Sequence, residues 1–465
     1  MLFSTPFFLF VFLPVFFLIY HLAAPKRWVL LAGSLLFYGW SEPVFLGVVV
    51  ASACLDWGLG WLIAGHQRRA KFWTALGIAG NVGILLYAKY TIFAFENLNV
   101  IFQAVAMPLL EIPKIALPLG VSFIVFEKIT YLVDLCRGKA QPARSLLDYL
   151  NYVFLFPKLL AGPIVKYHDI ATQLASPSHK FNDLRDGLIR FCFGLAKKVL
   201  IADQLAPFVD QAFAVKGGDL DAATAWLGIL CFSMQIYFDF SGYSDMAIGM
   251  GRMLGFRLLE NFNNPYLATS ITDFWRRWHI SLSSWIKEYL YIPLGGSRVP
   301  LWRAYFNLCL CFFLSGLWHG AAWTFVIWGC MHGLALVADR IFWLKFQERL
   351  PAWVSRILTF LFVMVSWVFF RSESLPKAVV YLKSMCGAFG RAAHDAFLQA
   401  DTLFFLVAGA ILILKPLVAV GRGTYGEAEV RKSRNGALLA SGVLLILCVA
   451  RLAVSTFNPF LYFQF

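Results

Sequence analysis

Apolar runs alternate with short polar connections from one end of the chain to the other, and the runs have the length needed to cross a hydrocarbon core of roughly 30 Å. The pattern predicts helical spans at 7–23, 28–40, 44–64, 72–90, 117–135, 147–165, 187–208, 224–250, 304–318, 321–343, 357–370, 403–420 and 437–455. Several of these are short enough to be re-entrant or tilted, so about eleven true crossings are expected. The fold class that follows is all-α, a polytopic integral membrane protein. With no internal repeat and no long linker, residues 1–465 read as a single transmembrane domain.

One stretch breaks the pattern. Between Leu254 and Trp302 the chain carries Arg257, Asn261, Asn263, Asn264, Asp273, Arg276, Arg277, His279, Lys287, Glu288 and Arg298 among many aromatic residues. Exposed backbone and charge are not tolerated in lipid, so this segment should line a protein cavity or lie at the cytoplasmic interface.

Composition agrees with the periodicity: 60% of the residues are hydrophobic and 14% charged, which excludes an ordinary soluble domain. The net charge of +14 sits mostly in short connections such as Lys26-Arg27, Arg68-Arg69-Lys71 and Arg431-Lys432-Arg434. That is the positive-inside pattern, so the charge needs no nucleic-acid partner. An external Met1 places 66–71 and 137–144 in the cytoplasm and 90–117 outside. The apolar N-terminus has its positive charges after the run, so it reads as a retained first span and not a cleaved signal. The nine cysteines form no CxxC pair, and most lie in apolar runs as small packing side chains.

Candidate chemistry centres on two histidines in aromatic surroundings, His279 in FWRRWHISLSSW and His319 in FFLSGLWHGAAW. An ionisable side chain within a membrane protein is costly and by default a functional candidate. If the run through His319 continues as one helix, Ser315, His319 and Trp323 share a face, and Gly316 and Gly320 let another helix or a substrate chain approach. An imidazole there could act as general base, or pack as a hydrogen-bonded structural group. His332 should project elsewhere and be structural. The cations Arg276, Arg277, Lys287, Arg298 and Arg303 suit either a polyanionic ligand or lipid headgroups. Asp239, Ser241, Tyr243, Ser244 and Asp245, with Glu127, Thr130, Tyr131 and Asp134, are proton or ion sites in a transporter, or partners of buried cations otherwise. No HExxH, GxSxG or P-loop is present, which favours an enzyme supplied with an already activated donor.

The stretches LPLGVSFIVFEKITYLVDLCRG, FPKLLAGPIVKY, YFDFSGYSDMAIGMGRMLGF, NFNNPYLATSITDFWRRWHISLSSWIKEYLYIPLGGSR, FLSGLWHGAAWTFVIWGCMHG and NPFLYFQF occur in this order. With them the chain resembles the membrane-bound O-acyltransferase family, in its bacterial branch of alginate and peptidoglycan O-acetyltransferases and teichoic acid D-alanyl transferases. The resemblance implies about eleven spans around a thin central region, with a funnel on one face meeting a tunnel from the other. It implies His319 and His279 as catalytic residues, in the LWHG and FWRRWHISLS motifs, as base or acyl carrier. Arg276, Arg277, Lys287 and Arg298 become donor-binding candidates, and Trp318, Trp323, Asp239 and Tyr243 cavity-lining ones. No bound cofactor or metal is implied; acetyl-coenzyme A is the donor substrate. The implied partners are the lipid bilayer of a Gram-negative inner membrane, a separate exported SGNH-type acetyltransferase and a polysaccharide acceptor. A transporter or flippase, a D-alanyl transferase and a non-enzymatic export scaffold are the competing readings.

Overall fold

The computed structural model describes residues 1–23, 25–177, 180–215, 219–388, 400–419, 427–454 and 460–461. Among the described residues every regular element is helical and no strand occurs. Seven helices are long and apolar enough to cross a membrane: Pro43–Gly65, Gln67–Ala104, Ala222–Met253, Leu301–His319, Trp323–Arg349, Ala352–Arg371 and Asn435–Val454. Phe8–Leu22 and Asp401–Leu414 are shorter apolar helices. The protein is an all-α, multi-pass membrane protein.

The hydropathy pattern located most helices to within a few residues, and its departures have physical causes. The run at 147–165 is not one span but two short helices, Leu146–Phe154 and Phe156–Leu159, broken at Leu155, whose backbone leaves the helical region (φ −50°, ψ 99°). The run at 28–40 becomes Lys26–Ser41; its 16 residues span only about 24 Å at 1.5 Å per residue. The run at 187–208 lies in a continuous helical stretch made of Phe181–Ala196, Lys197–Ala202 and Asp203–Ala214, which carries the buried, charged Lys198. Residues 254–300 contain only short helices, as their polarity required.

The chain forms two compact units. The first, Met1–Gly187 with Met250–Leu259, packs a cluster of Phe8, Phe12, Phe16, Phe37 and Phe156. Buried acids among its described residues are paired: Asp56 with Lys128 at 3.1 Å and with the Asn81 amide, Glu127 with Lys158, Asp134 with His168 Nδ1 at 2.8 Å, and Asp183 with Arg252 at 3.0 Å. Thr130 meets the Tyr152 hydroxyl at 2.8 Å, and the Tyr131 hydroxyl accepts from Ala143 N.

The second unit, Leu188–Gly249 with Glu260–Phe465, holds both candidate histidines. Its tightest packing joins Leu301–His319 to Trp323–Arg349. A Cβ on Gly316 would lie 2.3 Å from the Phe325 carbonyl oxygen, and one on Gly329 would lie 2.3 Å from that of Phe312. The small residues thus admit the following helix of the same chain.

Candidate active site

His279 ends up in a conformation that few residues adopt. Ser270 caps the helix Ile271–Arg277 by accepting from Asp273 N at 3.0 Å, and the chain then reverses at Trp278 and His279 before the helix Ile280–Ile286. At the reversal His279 is left-handed, φ 46° and ψ 54°. A segment with Asn261 and Asn263 runs alongside: Ile280 N donates to the Asn261 carbonyl (3.0 Å), and Asn263 N donates to the Arg277 carbonyl (2.9 Å). The His279 imidazole is fully buried, edge-on to Phe240 at 4.8 Å and 6.2 Å from the Trp318 ring. Burial pushes its pKa from 6.5 down to about 3, so the ring is neutral across physiological pH.

His319 is the last residue of Leu301–His319, because Gly320 leaves the helix in an extended conformation (φ −159°). The shared helical face of Ser315, His319 and Trp323 therefore does not exist across that break: Ser315 is buried one turn before His319, while Trp323 opens the next helix and is 52% exposed. The His319 ring is enclosed by Trp318 (4.8 Å), Trp328 (4.9 Å) and Phe370 (5.3 Å). Forty residues apart in sequence, the two histidines thus both pack on Trp318.

His332 is a packing residue. Trp275 Nε1 donates to its Nδ1 at 3.2 Å, which leaves Nε2–H to donate to Ser366 Oγ at 3.0 Å. A buried imidazole with both nitrogens engaged between helices is a structural strut.

The acids of the Ala222–Met253 helix are also committed. Asp239 pairs with Lys198 at 2.8 Å and accepts from Leu461 N at 2.9 Å; Lys198 also reaches Asp203 at 2.6 Å. Tyr243 is fully buried and meets the Phe460 ring at 4.4 Å. Phe460 and Leu461 belong to the terminal NPFLYFQF motif, whose other residues lie outside the described ones, as do the side chains of Arg431, Lys432 and Arg434. Asp245 binds Arg190 (2.8 Å) and Lys197 (2.6 Å), and Arg190 also chelates Glu260. These four charged residues, with Ser241, Ser244, Asn261, Asn263 and Asn264, line a polar cavity of about 220 Å³. Of the candidate donor-binding cations, Arg276, Lys287 and Arg298 are exposed, and Arg277 is held by Asp273 at 2.8 Å. Among the described residues no group of three His, Cys, Asp or Glu has the geometry to hold a metal ion.

Sequence reasoning named Asn261 only as one polar residue of its segment; its contact with His279 was not legible. Its spacing of eighteen residues from His279 carries no local signal, because a loop and two short helices lie between.

Within an apolar helical protein, two imidazoles are thus buried against one indole ring. Residues 121–372 match the membrane-bound O-acyltransferase family, and the chain belongs to that family. It is an O-acyltransferase. Over its whole length and the whole length of the relative it is 39% identical to the probable alginate O-acetylase AlgI of Azotobacter vinelandii. It is 40% identical to the peptidoglycan O-acetyltransferase of Helicobacter pylori over 84% of this chain and 80% of the relative. It is 27% identical to the teichoic acid D-alanyltransferase of Bacillus subtilis over 55% of this chain and 69% of the relative.

Proposed function

We propose that the protein takes acetyl groups from acetyl-coenzyme A at the cytoplasmic face of a bacterial inner membrane and passes them outward for O-acetylation of an extracytoplasmic polysaccharide. An alginate-like exopolysaccharide is the favoured final acceptor, since the relative matched along its whole length is named for alginate. The observation that carries the site is the convergence of His279 and His319 on Trp318. The chain works as one domain in this reading, because the family match draws residues from both compact units.

In the reaction an imidazole takes the proton from the acceptor hydroxyl, the oxygen forms a bond to the thioester carbonyl carbon, and the carbon–sulfur bond breaks. The coenzyme thiolate leaves and recovers the proton. In the variant where the imidazole is the acyl carrier, nitrogen attacks first and the acceptor oxygen displaces it. The exposed Arg276, Lys287 and Arg298 would bind donor phosphates, and an exported SGNH-type acetyltransferase would receive the acetyl group. The acids a transporter would use for protons or ions, Glu127, Asp239 and Asp245, each hold a buried or half-buried cation, which supports their reading as structural partners. A peptidoglycan acceptor is the second reading, favoured by the Helicobacter pylori relative.

The test is transfer of labelled acetyl from acetyl-coenzyme A in membranes bearing this chain and its exported partner, comparing wild type with His319→Ala at equal expression. Loss of about 10²–10⁴-fold is expected when a general base is removed. Equal transfer in both would take His319 out of the mechanism. Label recovered in peptidoglycan fragments, and not in exopolysaccharide, would select the second acceptor.

A further inference from the structure

We infer that Asn261 is a positioning residue that fixes the tautomer of His279, holding the proton on Nδ1 and presenting Nε2 as the basic atom. The inference rests on the reading of His279 as catalytic. Its ground is the set of donors that meet at one oxygen. Asn261 Oδ1 lies 3.1 Å from Ser281 N, 2.9 Å from Ser281 Oγ and 3.2 Å from His279 Nδ1.

The Ser281 backbone N–H can only donate, so the amide atom facing it is the carbonyl oxygen and not the nitrogen. Asn261 Nδ2 points the other way, donating to Ser244 Oγ at 3.2 Å. An amide oxygen only accepts, so the His279 nitrogen that faces it must bear hydrogen. In a neutral imidazole the other nitrogen then carries the lone pair. Phe240 and Trp318 pack on the ring, and Asn261 is 1% exposed, so its contact with Nδ1 is made away from solvent.

The backbone reinforces the side-chain contact. The Asn261 carbonyl accepts from Ile280 N, so the chain on the far side of the His279 reversal is bonded at two points to one residue. Asn261 therefore holds both the left-handed turn and the ring. Asn261 also lines the polar cavity, so the residue that orients the imidazole is in reach of whatever enters there.

Two measurements test this. Nitrogen-15 NMR of histidine-labelled full chain in lipid nanodiscs, with the His279 signal assigned by its loss in His279→Asn, reads the tautomer without any substrate. A protonated Nδ1 and unprotonated Nε2 are expected at neutral pH; the opposite tautomer overturns the inference. Acetyl transfer is then measured with the exported partner present. Asn261→Ala should lower kcat by about 10²-fold or more, with KM for acetyl-coenzyme A changed by less than about threefold. Asn261→Asp, which keeps an acceptor at that point, should recover a tenth or more of the wild-type rate. A full-rate Asn261→Ala, or an equal proportional loss when Asn261→Ala is added to His279→Ala, removes the positioning role. Full transfer by His279→Ala alone sinks the catalytic reading of His279, and the NMR result still judges the tautomer.

Discussion

His279 combines complete burial with a depressed pKa, and this makes its protonation a matter of stability. The unfolded chain takes up a proton on this ring below about pH 6.5, whereas the folded ring stays neutral down to about 3. The unfolded state thus binds more protons across that window, and stability falls as pH drops through it by up to about 1.4 kcal/mol per pH unit from this residue. Thermal unfolding in detergent between pH 4 and 6.5 should show a shallower acid loss for His279→Asn than for wild type; parallel curves would mean the ring titrates normally. The sequence singled out His279 and His319 because ionisable groups in apolar surroundings stand out by type. It could not single out Asn261, whose importance lies in a contact across a loop and in the direction its amide faces.

Among the elements, the pair Leu301–His319 and Trp323–Arg349 encloses the candidate His319, which ends the first helix and packs on Trp328 of the second. Their spacing is set by backbone contact at Gly316 and Gly329, where even a methyl group would sit 2.3 Å from a carbonyl oxygen. Gly316→Val should push the helices apart at a cost of about 1–3 kcal/mol or more, and displace the His319 ring. Lower thermal stability together with lost acetyl transfer is the expected pair of readouts; an unchanged melting temperature would show that the interface relaxes freely. Helix existence was legible from hydropathy because each run of lipid length had to close its own backbone hydrogen bonds. The break after His319 was legible too, as the gap between the runs at 304–318 and 321–343; that it takes Trp323 off the face of His319 was not, because the i,i+4 spacing holds only if the helix continues.

At the scale of the whole molecule, charge is buried in pairs. Lys158 with Glu127 in the first unit and Lys198 with Asp239 in the second are each 2% exposed or less. Removing one member leaves a charge stranded in a medium that cannot solvate it, which costs about 3–5 kcal/mol. Lys158→Met should therefore destabilise strongly, while Lys158→Met with Glu127→Gln should recover most of the loss. If the acid instead served proton transport, the double variant would be stable and the proton gradient would no longer influence activity. Composition and hydropathy announced a membrane protein with polar residues inside it. They did not say which acid met which base, because partners such as Glu127 and Lys158 come from helices whose neighbours are chosen by packing.

The left-handed backbone at His279 also narrows the range of residues this position can hold. Asparagine, aspartate, histidine and glycine visit that region with least strain, and β-branched residues scarcely at all. Random mutagenesis will therefore find the position narrow for two unrelated reasons, one chemical and one conformational. His279→Asn and His279→Gly separate them, since both keep the turn and neither keeps the imidazole. Inactive but well-expressed protein from these two, against poorly expressed protein from His279→Val, would show that the turn filters the alphabet before chemistry does.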